Sequence, residues 1–170
     1  MATALIPGTY DPITLGHIDV IKRASQIFDH IIVGVADSPH KRGHGTLFSL
    51  DDRVRFVQDA IDTYDDLASA GNVEVRPFTR LLVDFAVEVG AQVIVKGLRA
   101  VTDFESEFQQ ASLNYHMNPE LETAFIMATP QNMYLSSSVV KEISELGGDV
   151  DDLVTPLVAR ALKQEYAAAQ

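Results

Sequence analysis

Five short apolar runs, each followed by a stretch of helical periodicity, leave this 170-residue chain few architectures to adopt. The runs fall at 2–6, 31–36, 73–75, 92–95 and 123–128, and the helical patterns near 17–28, 50–64, 81–89, 103–116 and 137–146. Ile31-Ile32-Val33-Gly34-Val35-Ala36 is continuous rather than alternating, which implies burial on both faces of a parallel sheet. The expected fold class is therefore α/β: one domain over 1–170, an open parallel five-stranded sheet with helices on both faces. Ser49 with Asp52 marks the start of the second helix, and Gly90 the end of the third. Thr155-Pro156 opens an additional C-terminal helix at about 155–168.

In such sheets ligands bind beyond the carboxyl ends of the strands. The segments found there are Gly8–His17, Asp37–Arg42, Phe78–Leu82, Lys96–Arg99 and Thr129–Ser138. Net charge is −11, a balance that disfavours nucleic acid as a partner. Yet Lys41, Arg42, Arg80, Lys96 and Arg99, out of 13 basic residues, fall in these segments. An acidic protein that gathers its cations in this way is equipped for an anionic small molecule.

The first segment runs strand, glycine- and proline-bearing turn, helix. Gly16 and His17 stand where the helix begins, so unpaired N–H groups and the positive end of the dipole face the loop. This is a phosphate site in outline. His17 there can donate to an oxygen on which charge develops, although a lone histidine is more often a cap or a core residue. Thr9 and Tyr10 bring a hydroxyl and backbone N–H groups to the same loop, or simply stabilise the turn. Leu135-Ser136-Ser137-Ser138 before the helix carrying Val139, Val140 and Ile143 forms a second cradle, or a plain cap. Phe78, Leu81 and Leu82 read equally as an apolar ligand wall or as the first turn of a core helix.

The phrase PGTYDPITLGH resembles bacterial phosphopantetheine adenylyltransferase, a family of the nucleotidyltransferase superfamily with T/H-x-G-H and I-S-S-S signatures. KGLRAVTDFE at 96–105 and LSSS at 135–138 extend the resemblance over most of the chain. It implies a Rossmann-like nucleotidyltransferase fold and transfer of AMP from ATP to 4′-phosphopantetheine, giving dephospho-coenzyme A and pyrophosphate. It also implies His17, Lys41 and Arg99 as catalytic residues. ATP contacts carried over by position are Thr9, Tyr10, His17, Gly97, Leu98, Arg99, Glu107, Asn132, Met133, Tyr134, Leu135, Ser136, Ser137 and Ser138. Acceptor contacts are Thr9, Lys41, Leu82 and Lys96. The loop bearing Lys41 is longer than the family's by a few residues, which makes Arg42 a rival for that role. Ser106 and Asn132 stand where the family has aromatic residues. By the same resemblance the chain assembles as a homohexamer, a dimer of trimers.

No cysteine is present and no histidine spacing suits a metal, so Mg²⁺ is expected to arrive on the phosphates of ATP. No run approaches the ~20 apolar residues of a membrane span, and the chain enters a strand at once, so a cytoplasmic location is expected. Neither G-x-x-x-x-G-K-[ST] nor G-x-G-x-x-G occurs. Two alternatives remain open at this level: a relative acting on nicotinamide mononucleotide or an alcohol phosphate, and a nucleotide-binding module without catalysis.

Overall fold

A computed structural model describes residues 2–37, 45–99 and 101–167, the last stretch as backbone only over 101–103. The strands are β1 (Thr3–Gly8), β2 (His30–Ala36), β3 (Val73–Phe78), β4 (Val93–Leu98) and β5 (Glu122–Met127). The helices are α1 (Leu15–Ser25), α2 (Leu50–Thr63), α3 (Asp65–Ala70), α4 (Leu82–Glu88), α5 (Val101–Met117), α6 (Ser137–Glu145) and α7 (Pro156–Ala167). All pairings are parallel, in the order β3-β2-β1-β4-β5. The order reverses at β1, whose neighbours β2 and β4 lead away to opposite edges and open a crevice at its carboxyl end.

The continuous apolar runs are explained by the two cores. Successive side chains of a strand point to opposite faces. Ala4, Ile6, Ile31, Val33 and Val95 pack with α1, α2, α6 and α7, while Leu5, Ile32 and Ile94 between them pack with Val83, Phe85 and Ala86 of α4. Helix ends follow the predicted chemistry. Ser49 Oγ accepts the Asp52 N–H at 3.1 Å, and Gly90, just beyond α4, has φ +68.

Three local readings change. Helix α3 was not expected: it is one short element with a single buried side chain, Leu67, too brief to show a period. Strand β3 continues through Arg76-Pro77, tolerable because β3 is an edge strand. Strand β4 runs to Leu98, so Lys96 and Gly97 belong to the strand and not to the loop after it. Gly97 packs closely under α1: a Cβ there would lie 3.0 Å from Val20 Cγ2, a tight contact.

Candidate active site

A cavity of about 440 Å³ occupies the crevice beyond β1 and β4. The N-termini of α1 and α6 both meet it, through Gly16 and His17 on one side and Ser136, Ser137 and Ser138 on the other. Helix α1 begins here because Thr14 is extended (φ −125, ψ 166) and caps the turn that follows. The Thr14 N–H donates to His17 Nδ1 at 3.0 Å, and the Thr14 hydroxyl lies at the same distance from that nitrogen. An Nδ1 that accepts a backbone N–H carries no proton, so the neutral ring holds its hydrogen on Nε2. Burial, helped by the nearby Arg99 cation, pulls the His17 pKa down to about 4. At neutral pH His17 is thus an uncharged N–H donor.

Opposite it, Arg99 Nη1 donates to the Leu135 carbonyl at 3.1 Å, which joins the end of β4 to the approach to α6. Ser136 Oγ accepts the Val139 N–H at 3.2 Å and keeps its own O–H as a donor. Ser137 behaves differently. It donates to the Pro12 carbonyl at 2.8 Å, so its hydroxyl latches the two signature loops together and its O–H is engaged. Lys96 Nζ faces Glu107 Oε2 at 3.3 Å, an ion pair at the cavity wall.

Of the residues expected from sequence, Thr9, Tyr10, His17, Lys96, Gly97, Arg99, Glu107, Asn132, Leu135 and the three serines line this cavity. Tyr10 does so with its hydroxyl turned away, donating to the buried Ile6 carbonyl at 3.0 Å. What Tyr10 leaves for a ligand is backbone and ring. Four residues lie outside the lining. Leu82 packs with Phe78 against the α4 core, Leu98 is buried, and Met133 and Tyr134 are exposed. Arg80 pairs with Glu88 at 2.6 Å on the surface and is not part of the lining. Lys41 and Arg42 lie outside the described residues.

Three supporting residues escaped the sequence reading. Asp11 accepts the Leu47 and Phe48 N–H groups at 3.0 Å each and the Lys141 ammonium at 2.7 Å. Arg53, 1% exposed, donates to the carbonyls of Thr9 and Ala36 at 2.7 Å and of Phe48 at 3.3 Å, tying the ends of β1 and β2 to the start of α2. Its position was a readable signal: a cation on the same helical stripe as buried Phe56, Val57, Ala60 and Ile61.

Comparison with known proteins shows the family of the chain. The model of the family described as cytidylyltransferase-like matches residues 5–143. A phosphopantetheine adenylyltransferase of Rhodospirillum centenum is 51% identical over 161 residues, covering 95% of this chain and 85% of that protein. One from Methylacidiphilum infernorum is 47% identical over 165 residues, covering 97% and 91%. Among solved structures, the Plasmodium falciparum nicotinic acid mononucleotide adenylyltransferase complexed with NaAD superposes with a TM-score of 0.69 at 14% identity. It covers 96% of this chain and 95% of that one, and at this identity the likeness speaks for the fold. The fold is that of a cytidylyltransferase-like nucleotidyltransferase. Within that class, the chain belongs to the phosphopantetheine adenylyltransferase family.

Proposed function

We propose that the protein transfers the adenylyl group of MgATP to 4′-phosphopantetheine, giving dephospho-coenzyme A and pyrophosphate. The observation that carries this reading is identity of about half the residues, over nearly the whole chain, with phosphopantetheine adenylyltransferases. In the reaction, an oxygen of the acceptor phosphate forms a bond to the α-phosphorus as the bond from that phosphorus to the β-phosphate oxygen breaks. Pyrophosphate departs with the electron pair.

No side chain needs to bond covalently to the phosphorus, so catalysis is positioning and charge stabilisation. His17 donates through Nε2–H to an oxygen of the α-phosphate. Arg99, with Lys41 by the family resemblance, offsets the charge gathered in the transition state. Thr9 and Lys96 hold the acceptor phosphate, which displaces Lys96 from Glu107. The N–H groups at the start of α6, with the Ser136 and Ser138 hydroxyls, receive the departing phosphates. Among the described residues no group of three or more His, Cys, Asp or Glu side chains is placed to hold a metal. In this reading Mg²⁺ arrives on the nucleotide's phosphates.

The reading carries with it a homohexamer and a cytoplasmic location. Support for assembly comes from the apolar side chains left exposed on α5, notably Phe104, Phe108 and Leu113. No described helix is long and apolar enough to cross a membrane.

Pyrophosphate release from the purified protein with MgATP tests the reading, with 4′-phosphopantetheine, nicotinamide mononucleotide and glycerol 3-phosphate offered in parallel. Release with phosphopantetheine alone is the expected result. Release with another acceptor moves the substrate, and silence with all three in a protein that binds ATP overturns the catalytic reading.

A further inference from the structure

Tyr10 combines three features that core packing alone does not require. Its backbone sits at φ +49, in the left-handed region that side-chain-bearing residues rarely occupy. Its ring is 4% exposed and meets the His17 imidazole edge to face, with centroids 5.2 Å apart and planes at 71°. The third feature is the space beneath: a Cβ on Gly8 would come within 2.8 Å of two Tyr10 ring carbons, so only glycine lets the ring lie there. The hydroxyl bond to Ile6 then fixes the ring along its long axis.

We infer that Tyr10 is a positioning residue for His17: its ring, seated on Gly8 and anchored to Ile6, holds the imidazole in the orientation in which Nδ1 takes the Thr14 N–H and Nε2 bears the hydrogen. The aromatic edge-to-face contact has an angular preference that an aliphatic side chain lacks. Without it the imidazole can rotate about its terminal torsion, and the Thr14 N–H no longer selects one nitrogen. The cover also withholds water from the ring, which keeps the imidazole neutral. Backbone strain at this position is retained because the surrounding contacts over-determine it.

The inference deepens the proposed function, since it takes His17 as the donor to the reacting phosphate. Nitrogen-15 NMR of the histidine rings tests it without any substrate. In the unaltered protein, His17 should show one tautomer, protonated at Nε2, between about pH 6 and pH 8. A mixture of tautomers there overturns the inference. Tyr10→Leu should give mixed tautomers and lower kcat at least about tenfold. Tyr10→Phe, which keeps the ring, should retain the single tautomer and most of kcat. Gly8→Ala, which displaces the ring and leaves Tyr10 intact, should reproduce Tyr10→Leu and serves if that variant does not fold. A folded Tyr10→Leu with the Nε2–H tautomer and unchanged kcat overturns the inference. Failure of the activity assay with the tautomer result intact would strike the proposed reaction and leave this positioning role standing.

Discussion

Lys141 Nζ lies 2.7 Å from Asp11 Oδ2, although 130 residues separate them. The Asp11 side chain is 7% exposed and Lys141 27%, so the pair is only partly in water. Asp11 also accepts two backbone N–H groups that lead into α2. Removing the carboxylate therefore strands three donors, and removing the ammonium strands one acceptor that keeps two partners. Asp11→Ala should cost about 3 kcal/mol and Lys141→Met about 1 kcal/mol. Urea unfolding measures both, and equal losses would contradict this arrangement.

His17→Ala should lower kcat by roughly 10² or more, because a donor aimed at developing charge is lost. Far-UV circular dichroism should be unchanged. Turnover within a few fold of the unaltered enzyme would remove His17 from the chemistry.

Stability should depend on pH through the same residue. The His17 pKa is about 4 in the folded protein against 6.5 for an ordinary histidine, so between those values the unfolded chain binds a proton that the folded one does not. The His17 contribution is full above about pH 6.5 and is lost as pH falls toward 4. The change is on the order of 2–3 kcal/mol. Thermal melts from pH 7 to pH 4 should fall more steeply for the unaltered protein than for His17→Gln. Parallel slopes would show that burial and Arg99 do not depress this imidazole.

Arg53→Met should destabilise by about 2–4 kcal/mol, since the carbonyls of Thr9, Ala36 and Phe48 lose a common donor inside the protein. Arg53→Lys should recover only part, as an ammonium lacks the planar fork that spans three carbonyls. Denaturant midpoints distinguish the two.

Phe108 is 57% exposed on α5, next to Phe104 with ring centroids 5.8 Å apart. If this face is covered by other copies of the chain, sedimentation will give a hexamer, and Phe108→Glu will shift it toward smaller species. A monomer at micromolar concentration would count against assembly through this face.

The strands were legible because burial on both faces leaves uninterrupted apolar runs such as Ile31–Val35, a pattern that needs no partner to be seen. Helix α3 was not, because six residues with one buried leucine carry no period. His17 and the serines could be read from position, since helix N-termini have a local chemistry. What Ser137 does for the fold could not: its bond to Pro12 is a fact of tertiary structure, and it ties the two signature loops together. Lys141 was invisible for the same reason, being an ordinary surface lysine until the fold brings Asp11 to it. Arg53 was within reach, because a cation on an apolar helical stripe must find acceptors indoors. Leu82 could be read either way, and in the fold it packs with the α4 core.

The Ser137–Pro12 bond also sets an order of events. A chain emerging from the ribosome presents its amino-terminal part first. The loop with Pro12 is therefore made long before Ser137, which follows 125 residues later. Until α6 is made, the chain holds only one of the two helix N-termini that line the cavity.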